Sequence, residues 1–234
     1  MKNLTTLLFV VIAGFGCNAQ NPDLIIKSTT VAFDSKLDQY VFEIKVDGTA
    51  GKTTPEPVGQ LDGAPVLGYV FPTTLKSTDV GFGSTEGIVA MALTSHPDFD
   101  DTPLWDENKD AVYDNDGIIW HSHWVILVED KRVAGGLSVK QFVEGDVSVV
   151  LPPTNPGMPM YMDSPGYPVV SSGKSIKVIV PAYRIRTKGD FKFDGVAAFM
   201  KVNTENSSMP MLGVYEVYSV SSGDLSLPYA LSNK

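Results

Sequence analysis

The segment IIWHSHWVILVE, residues 118–129, decides the fold because it is apolar on both sides of an extended chain. Alternate residues of a β-strand point to opposite faces, so a strand with two apolar faces has to be covered on both. The segment GIVAMALTSH, residues 87–96, has the same character. We therefore predict that residues 118–128 form a central strand and that residues 87–96 form a strand that could lie beside it.

Other short segments alternate with a period of two and are separated by turns rich in glycine and proline. The clearest are residues 39–46, 175–186 and 213–220, and residues 64–71 are a short apolar segment bounded by Pro65 and Pro72. We find no amphipathic helix of ten or more residues. Many short strands between such turns are typical of sandwiches and barrels. The sequence predicts an all-β fold, an antiparallel β-sandwich or barrel-like domain with long loops rich in proline and glycine.

Residues 1–19 have the pattern of an export signal peptide. Lys2 is followed by an apolar run at residues 7–15 that is too short to span a bilayer. Two kinds of processing are open: cleavage after Ala19, or lipidation of Cys17, the only cysteine of the chain. Both predict an exported protein, periplasmic or extracellular, and lipidation of Cys17 would anchor it as an outer-membrane lipoprotein.

Residues 20–234 are predicted to form a single β domain, with a weak seam at the proline-rich residues 151–168. No other apolar run reaches the length of a transmembrane segment. The formal net charge of the chain is −9. This acidic excess argues against nucleic acid or an anionic membrane surface as a partner, and it is compatible with a bound metal ion as a partner.

The three histidines of the chain lie close together in the sequence. His121 and His123 are two residues apart on the predicted central strand and therefore point to the same face. His96 ends the strand that could lie alongside. Three imidazole nitrogens are sufficient to bind zinc or copper with one position open. We predict a metal site here, with Asp98 or Asp101 as a fourth ligand or as a partner that orients a histidine.

The His-x-His pattern of residues 121–123 resembles strand motifs of the cupins and the α-carbonic anhydrases, two β-rich folds with metal sites. The cupin motif has a glutamate soon after the second histidine, whereas the next carboxylate here is Glu129. The carbonic anhydrase motif has its third histidine downstream, whereas His96 lies upstream. Neither family is assigned. The alternative to a metal site is that the histidines form hydrogen bonds with loop carboxylates at the end of a sheet.

The acidic loop DENKDAVYDNDG, residues 106–117, is a second candidate site because its oxygen-bearing side chains resemble the first part of an EF-hand-like calcium loop. These side chains are Asp106, Asn108, Asp110, Asp114 and Asp116. The pattern departs at Ala111, where the loop glycine belongs, and at Gly117, where a bidentate glutamate belongs. It predicts a calcium site, and the alternative is an acidic surface loop turned by Asn115 and Gly117.

Methionines are spaced two apart in two segments, GMPMYMD at residues 157–163 and SMPML at residues 208–212. Thioethers in such an arrangement can bind Cu(I), which favours copper as an alternative metal. The other explanation is that flexible methionines fill gaps under the proline-rich loops.

Three functions are compatible with these patterns. The first is a non-catalytic, exported metal-binding protein, and the second is a metal-dependent hydrolase or lyase in which the metal activates water. The third is an adhesion or ligand-binding module that calcium stabilises. A Gly-x-Ser-x-Gly motif, a phosphate loop and a dinucleotide motif are all missing from the sequence. The enzyme question therefore stays open, and we expect binding rather than catalysis.

Overall fold

The computed structural model of the chain describes residues 20–102, 106–112, 115–186 and 190–233. The predicted export signal, residues 1–19, lies outside the described residues. The strands, in chain order, are β1 (Ile26–Asp34), β2 (Gln39–Val46), β3 (Pro65–Pro72), β4 (Ile88–Ser95), β5 (His121–Glu129), β6 (Leu137–Val139), β7 (Met162–Asp163), β8 (Val169–Ser172), β9 (Ser175–Pro181), β10 (Lys192–Phe193), β11 (Val196–Val202), β12 (Leu212–Val220), β13 (Tyr229–Ala230) and β14 (Ser232–Asn233). The helices are short 3-10 turns, at Pro22–Leu24, Ser77–Val80 and Ala182–Arg184. None of the helices in the described part of the chain is long and apolar enough to cross a membrane.

Six antiparallel strands close into a barrel in the order β3, β4, β5, β6, β12 and β11, and β11 pairs back with β3. The pairing of β4 with β5 places Ala92 opposite His123 and Thr94 opposite His121. The short strand β7 adds to β5 at Trp124 and Val125. The prediction that the two strands could lie side by side is therefore confirmed. Their antiparallel pairing brings the end of β4 next to the start of β5.

A second sheet, with the strand order β14, β1, β2, β9 and β8, packs against the outer face of the barrel. Aromatic rings fill much of the space between the two. Phe42 on β2 meets the ring of Phe71 on β3 and the ring of Trp124 on β5, both edge to face, with centroids 5.4 and 6.0 Å apart. The molecule thus combines a barrel with a sandwich-like second layer, and the predicted all-β class is confirmed.

The two faces of β5 belong to different cores. Trp124 and Ile126 are fully buried toward the five-stranded sheet, whereas Val125 and Leu127 are buried in the barrel interior. The same alternation holds on β4, where Met91 faces the second sheet. The prediction of a central strand covered on both faces is confirmed for β5.

The central strand starts at His121, three residues later than the apolar pattern predicts. Ile118 and Ile119 are 41% and 44% exposed, so they do not continue either core. Their backbone N–H groups donate to the two carboxylate oxygens of Glu107 instead of to a neighbouring strand. The Glu107 carboxylate thus accepts the two backbone hydrogen bonds that a neighbouring strand would otherwise accept, and it fixes the position of the chain just before β5.

Candidate metal centre

Four side chains converge inside the barrel, where β4 ends and β5 begins. They are His96, Asp101, His121 and His123, and no two of their facing ligand atoms are more than 4.8 Å apart. All four are almost completely shielded from solvent, with 2–6% of each side chain exposed. Within the described ranges, no other group of three or more His, Cys, Asp or Glu residues brings its ligand atoms this close together.

The spacing of the ligand atoms fits a single metal ion. Nε2 of His121 lies 2.8 Å from Nε2 of His96. Oδ1 of Asp101 lies 3.4, 3.2 and 3.6 Å from Nε2 of His96, His121 and His123. Around a tetrahedral zinc ion with bonds of about 2.0–2.1 Å, neighbouring ligand atoms are about 3.3 Å apart. These four of the six separations are distributed around that value, and the other two are no longer than 4.8 Å.

Backbone carbonyls decide which nitrogen of two rings faces the centre. Nδ1 of His96 donates to the carbonyl of Phe99 at 2.8 Å, and Nδ1 of His121 donates to the carbonyl of Ile119 at 2.7 Å. A carbonyl oxygen can only accept, so in the neutral rings the proton is on Nδ1 and the lone pair on Nε2. Metal-binding histidines in proteins have this arrangement, in which the outer nitrogen is held by a hydrogen bond.

Ser164 supplies the corresponding contact for the third ring, since its Oγ lies 3.0 Å from Nδ1 of His123. Both side chains are buried. Ser164 follows β7 in the proline-rich segment, residues 151–168, which the sequence assigned to a loop or a seam. Sequence reasoning missed this residue, because nothing in its local pattern distinguishes it from other loop serines.

The electrostatics of the cluster favour a cation between the ligands. Burial lowers the pKa of His123 to about 3, so this ring is neutral at physiological pH. Burial also opposes a charge on His121, but the carboxylate of Asp101 outweighs it and raises the pKa of His121. For Asp101, burial would raise the pKa, yet the imidazoles of His123 and His96 hold it well below its usual range.

The result is a buried carboxylate beside imidazole nitrogens that have lone pairs directed at one point. Oδ1 of Asp101 accepts no hydrogen bond from the described residues. Two neutral Nε2 atoms 2.8 Å apart would repel each other unless a proton or a metal ion lies between them. A metal ion can satisfy all four ligand atoms at once, whereas a single proton cannot.

The two ends of the connection between β4 and β5 are joined next to the centre. The backbone N–H of His96 donates to the carbonyl of Gly117, and Ser95 Oγ donates to the carbonyl of Ile118. Gly117 has φ of 102°, and a Cβ at this position would lie 2.3 Å from the carbonyl oxygen of Phe99 and 2.6 Å from Nδ1 of His96. A side chain at position 117 would therefore collide with the His96 ring and with the backbone at Phe99. Only glycine fits at this position.

Asp98, the other predicted carboxylate ligand, is not part of the cluster. It accepts hydrogen bonds from the backbone N–H groups of Val58 and Gly59 at 2.6–3.1 Å. This contact joins the long loop before β3 to the loop after β4. Asp101 is the carboxylate that the fold brings to the histidines.

A gap of about 20 Å³ lies beside the centre, enough for one water molecule. Besides Thr94 and apolar residues, its walls include three of the ligands and three methionines: His96, Asp101, His123, Met158, Met160 and Met162. Met209 and Met211 lie away from it, in an open groove near Gln141. One of the two predicted methionine segments therefore adjoins the histidines, and the other does not.

The described part of the acidic loop is organised by its own side chains. Asp106 accepts hydrogen bonds from the backbone N–H groups of Asp110 and Ala111, and Asn108 accepts one from Asp110. Ala111 has φ of 64°, the left-handed conformation that the calcium-loop pattern assigns to glycine. The chain therefore adopts a left-handed turn at Ala111 although this residue is not glycine.

Two predicted calcium ligands of the acidic loop remain, Asp114 and Asp116. Asp114 lies outside the described residues. Asp116 is buried, and its Oδ2 has no hydrogen-bond partner among the residues that the structure describes. Burial raises the pKa of Asp100 to about 6, and the charges of Asp101 and Asp116 add to this shift. These carboxylates make the surroundings of the histidine centre strongly acidic.

The ligand set consists of three nitrogens and one oxygen, which suits zinc or copper better than a hard ion such as calcium. Such a centre can tie the loop after β4 to the barrel, and a fifth ligand in the gap could be polarised by the metal. Comparisons with protein-family models, with curated proteins and with solved structures found no match for this chain.

Proposed function

We propose that this is an exported, non-catalytic metal-binding protein whose zinc ion is held by His96, Asp101, His121 and His123. One observation carries the proposal: three imidazole Nε2 atoms and a buried carboxylate oxygen converge on one point. Because the Nδ1 atoms of His96 and His121 already donate to carbonyls, the rings are prepared for the metal before it binds.

Zinc is favoured over other metals by the geometry of the ligands. Four of the six separations between ligand atoms, 2.8–3.6 Å, fit the edges of a zinc tetrahedron. Copper is the second candidate, because Met158, Met160 and Met162 line the gap beside the centre and thioethers suit Cu(I). Loading with each metal separately and comparing the dissociation constants decides between the two.

The number of protein ligands favours a structural role for the metal. Structural zinc sites are closed by four protein ligands, whereas catalytic sites use three and keep one position for water. Asp101 belongs to the loop after β4, so a bound metal would hold this loop against the barrel. Metal removal is then expected to lower the melting temperature of the protein.

A metal-dependent hydrolase or lyase is the second candidate function, supported by the gap that has room for one water beside the centre. The decisive measurement is whether the zinc in the loaded protein carries an exchangeable water. A site that binds small anions such as azide in place of water would favour the enzyme. A site closed to them would favour the structural role.

The metal site is tested with protein purified without a histidine tag. Wild-type protein is expected to contain about one zinc per chain, and the double variant His121→Ala, His123→Ala is expected to contain none. Asp98→Asn is a matched control, because this carboxylate is nearby but bonds to Val58 and Gly59. Full zinc content in the double variant would refute the site.

Calcium in the acidic loop is a separate proposal, which would give an adhesion or ligand-binding module. The left-handed Ala111 and the hydrogen bonds to Asp106 support it. Calcium is expected to raise the melting temperature of wild-type protein and not that of the variant Asp106→Asn, Asp110→Asn. If calcium raises the melting temperature of wild type and variant equally, or does not raise that of wild type, the loop is an acidic surface turn without a calcium site.

Export is supported by the sequence of residues 1–19. Expression of the full chain in a bacterium followed by mass spectrometry of the mature amino terminus tests it. Cleavage after Ala19 yields a chain beginning at Gln20, whereas lipidation yields a modified Cys17. An unprocessed chain in the cytoplasm would contradict the proposal.

A further inference from the structure

The barrel interior contains an apolar cavity of about 90 Å³, separate from the gap among the metal ligands. Inward-facing side chains of all six barrel strands line it, most of them valine, leucine and methionine. Thr94 and His123 supply the polar part of the wall. A cavity with so few polar partners does not hold ordered water well and is expected to be dry.

Small residues on neighbouring parts of the barrel wall create this space. Ala92 on β4 and Ala198 on β11 both face the cavity, and Gly135 contributes backbone only. The interior of an eight-stranded barrel is just wide enough for side chains to fill it, so a six-stranded barrel could be filled completely. Larger side chains at the two alanines would do so. The side chains that line the cavity therefore lack packing contacts that larger residues in this barrel would provide.

The cavity adjoins the metal centre. Four residues line both this cavity and the smaller gap among the ligands: Thr94, His123, Met162 and Leu212. A molecule in the cavity would thus contact the His123 ring, and its nearest polar neighbours would be that ring and the Thr94 hydroxyl.

We propose that the barrel interior is a binding site for a small, uncharged, apolar molecule, held against His123 and Thr94. A cavity of about 150 Å³ in another protein stays dry and binds benzene or xenon, so a ligand of this smaller site is a short hydrocarbon or a molecule of similar size. Binding in the cavity does not require the metal. Only the position of the ligand beside a metal ion rests on the function proposed above.

Charge and size exclude other ligand classes. A charged ligand would be placed in an apolar enclosure where only one hydroxyl and one imidazole could compensate for lost hydration. A large ligand would have to displace Val125 or Leu127, which are buried in the wall, or extend out of the barrel past Val217, which lines the cavity and is 43% exposed. The site therefore selects by exclusion of water and by size.

The test uses crystals and solutions of the zinc-loaded full chain, with xenon as the probe for location and n-butane as the probe for affinity. Xenon is expected at one position in the barrel of wild-type protein, and butane is expected to raise its melting temperature. Ala198→Leu places extra carbon atoms in the cavity, so xenon occupancy should fall at least tenfold and the butane response should be lost. Val147→Leu, at a fully exposed position, is the matched control and should behave as wild type.

A second variant, Ala92→Val, fills the cavity from β4 and replaces Ala198→Leu if that variant does not fold. Lack of xenon in wild-type protein, or unchanged occupancy in a folded cavity-filling variant, would overturn the proposal. Zinc content is measured on the same samples. Absence of xenon from wild-type protein that contains zinc refutes the cavity site alone, whereas xenon bound to wild-type protein that takes up no zinc refutes the metal site alone.

Discussion

The molecule has two cores, one between the barrel and the five-stranded sheet and one inside the barrel. Alternate residues of the same strands contribute to both, yet the two cores contain different kinds of side chain. Trp124 and His123 are neighbours in the chain, but Trp124 packs edge to face with Phe42 while His123 faces the metal centre. The first core consists largely of aromatic and branched side chains. The second contains alanines, methionines, a cavity and four ionisable side chains.

This difference indicates a division of roles between the two faces of β4 and β5. Dense packing outside the barrel stabilises the strands in their positions, because buried aromatic area dominates such a core. The inside can then contain imidazoles, a carboxylate and unfilled volume without loss of the fold. Substitutions on the two faces should therefore have different effects, on stability for one and on ligand binding for the other.

Trp124→Ala tests the outer face and should have the largest effect. Removing this fully buried ring leaves a cavity against Phe42, which is expected to lower the free energy of unfolding by about 3–5 kcal/mol. Urea denaturation of the metal-free protein measures it. Val147→Ala, at an exposed position, should change the value by less than about 0.5 kcal/mol. A loss below about 1 kcal/mol for Trp124→Ala would contradict the division of roles.

Asp101→Asn tests the inner face and should mainly affect the metal. The amide has nearly the same shape but no charge, so zinc affinity is expected to fall about 100-fold, which corresponds to about 2.7 kcal/mol. Competition with a chelator measures the dissociation constant. The control Asp98→Asn should differ from wild type by less than about twofold. Equal affinities of the two variants would exclude Asp101 as a ligand.

Ser164→Ala tests whether a residue that contacts a ligand, but is not itself a ligand, contributes to zinc binding. Loss of the contact with Nδ1 of His123 should reduce zinc affinity by about tenfold, or about 1.4 kcal/mol, because the ring is less well oriented. The same titration measures it, and Ser148→Ala on an exposed loop is the matched control. If Ser164→Ala binds zinc as tightly as wild type, the serine does not position this ring.

Asp130→Asn tests the turn between β5 and β6, outside both cores, and should have the smallest effect. The side chain of Arg132 donates to Asp130 and, with the Ser138 hydroxyl, holds the pKa of this carboxyl well below its usual range. A lowered pKa in the folded state adds stability above the unfolded pKa of about 3.9, and this stability is lost as the pH falls below it. The variant should unfold about 1 kcal/mol more easily at neutral pH.

Urea denaturation at neutral pH and at about pH 3 measures the pH dependence of that effect. The difference between wild type and Asp130→Asn should become smaller in acid, because below its pKa of about 3.9 the carboxyl of the unfolded wild-type chain takes up a proton, which favours unfolding. A difference that does not change with pH would show that the ion pair does not contribute through its charge.

Much of the metal centre follows from local geometry that the sequence contains. The spacing of His121 and His123 places both rings on one face of any strand, and the apolar pattern around them identifies that strand. The position of His96 at the end of the neighbouring segment then brings the third ring near. The choice of Asp101 over Asp98 does not follow, because both lie in a loop whose path depends on contacts with Val58 and Gly59.

The sequence by itself determined the all-β class, the approximate positions of the longer strands, the two apolar faces of the central strand and the three histidines, because period-two alternation is a local property of an extended chain. Tertiary structure alone decided the closure of the barrel, the carboxylate ligand, the serine behind His123 and the need for glycine at position 117. It also decided the cavity, since an unfilled volume depends on how side chains from six strands meet. Such long-range contacts have no period in the sequence, and only the folded chain brings them together.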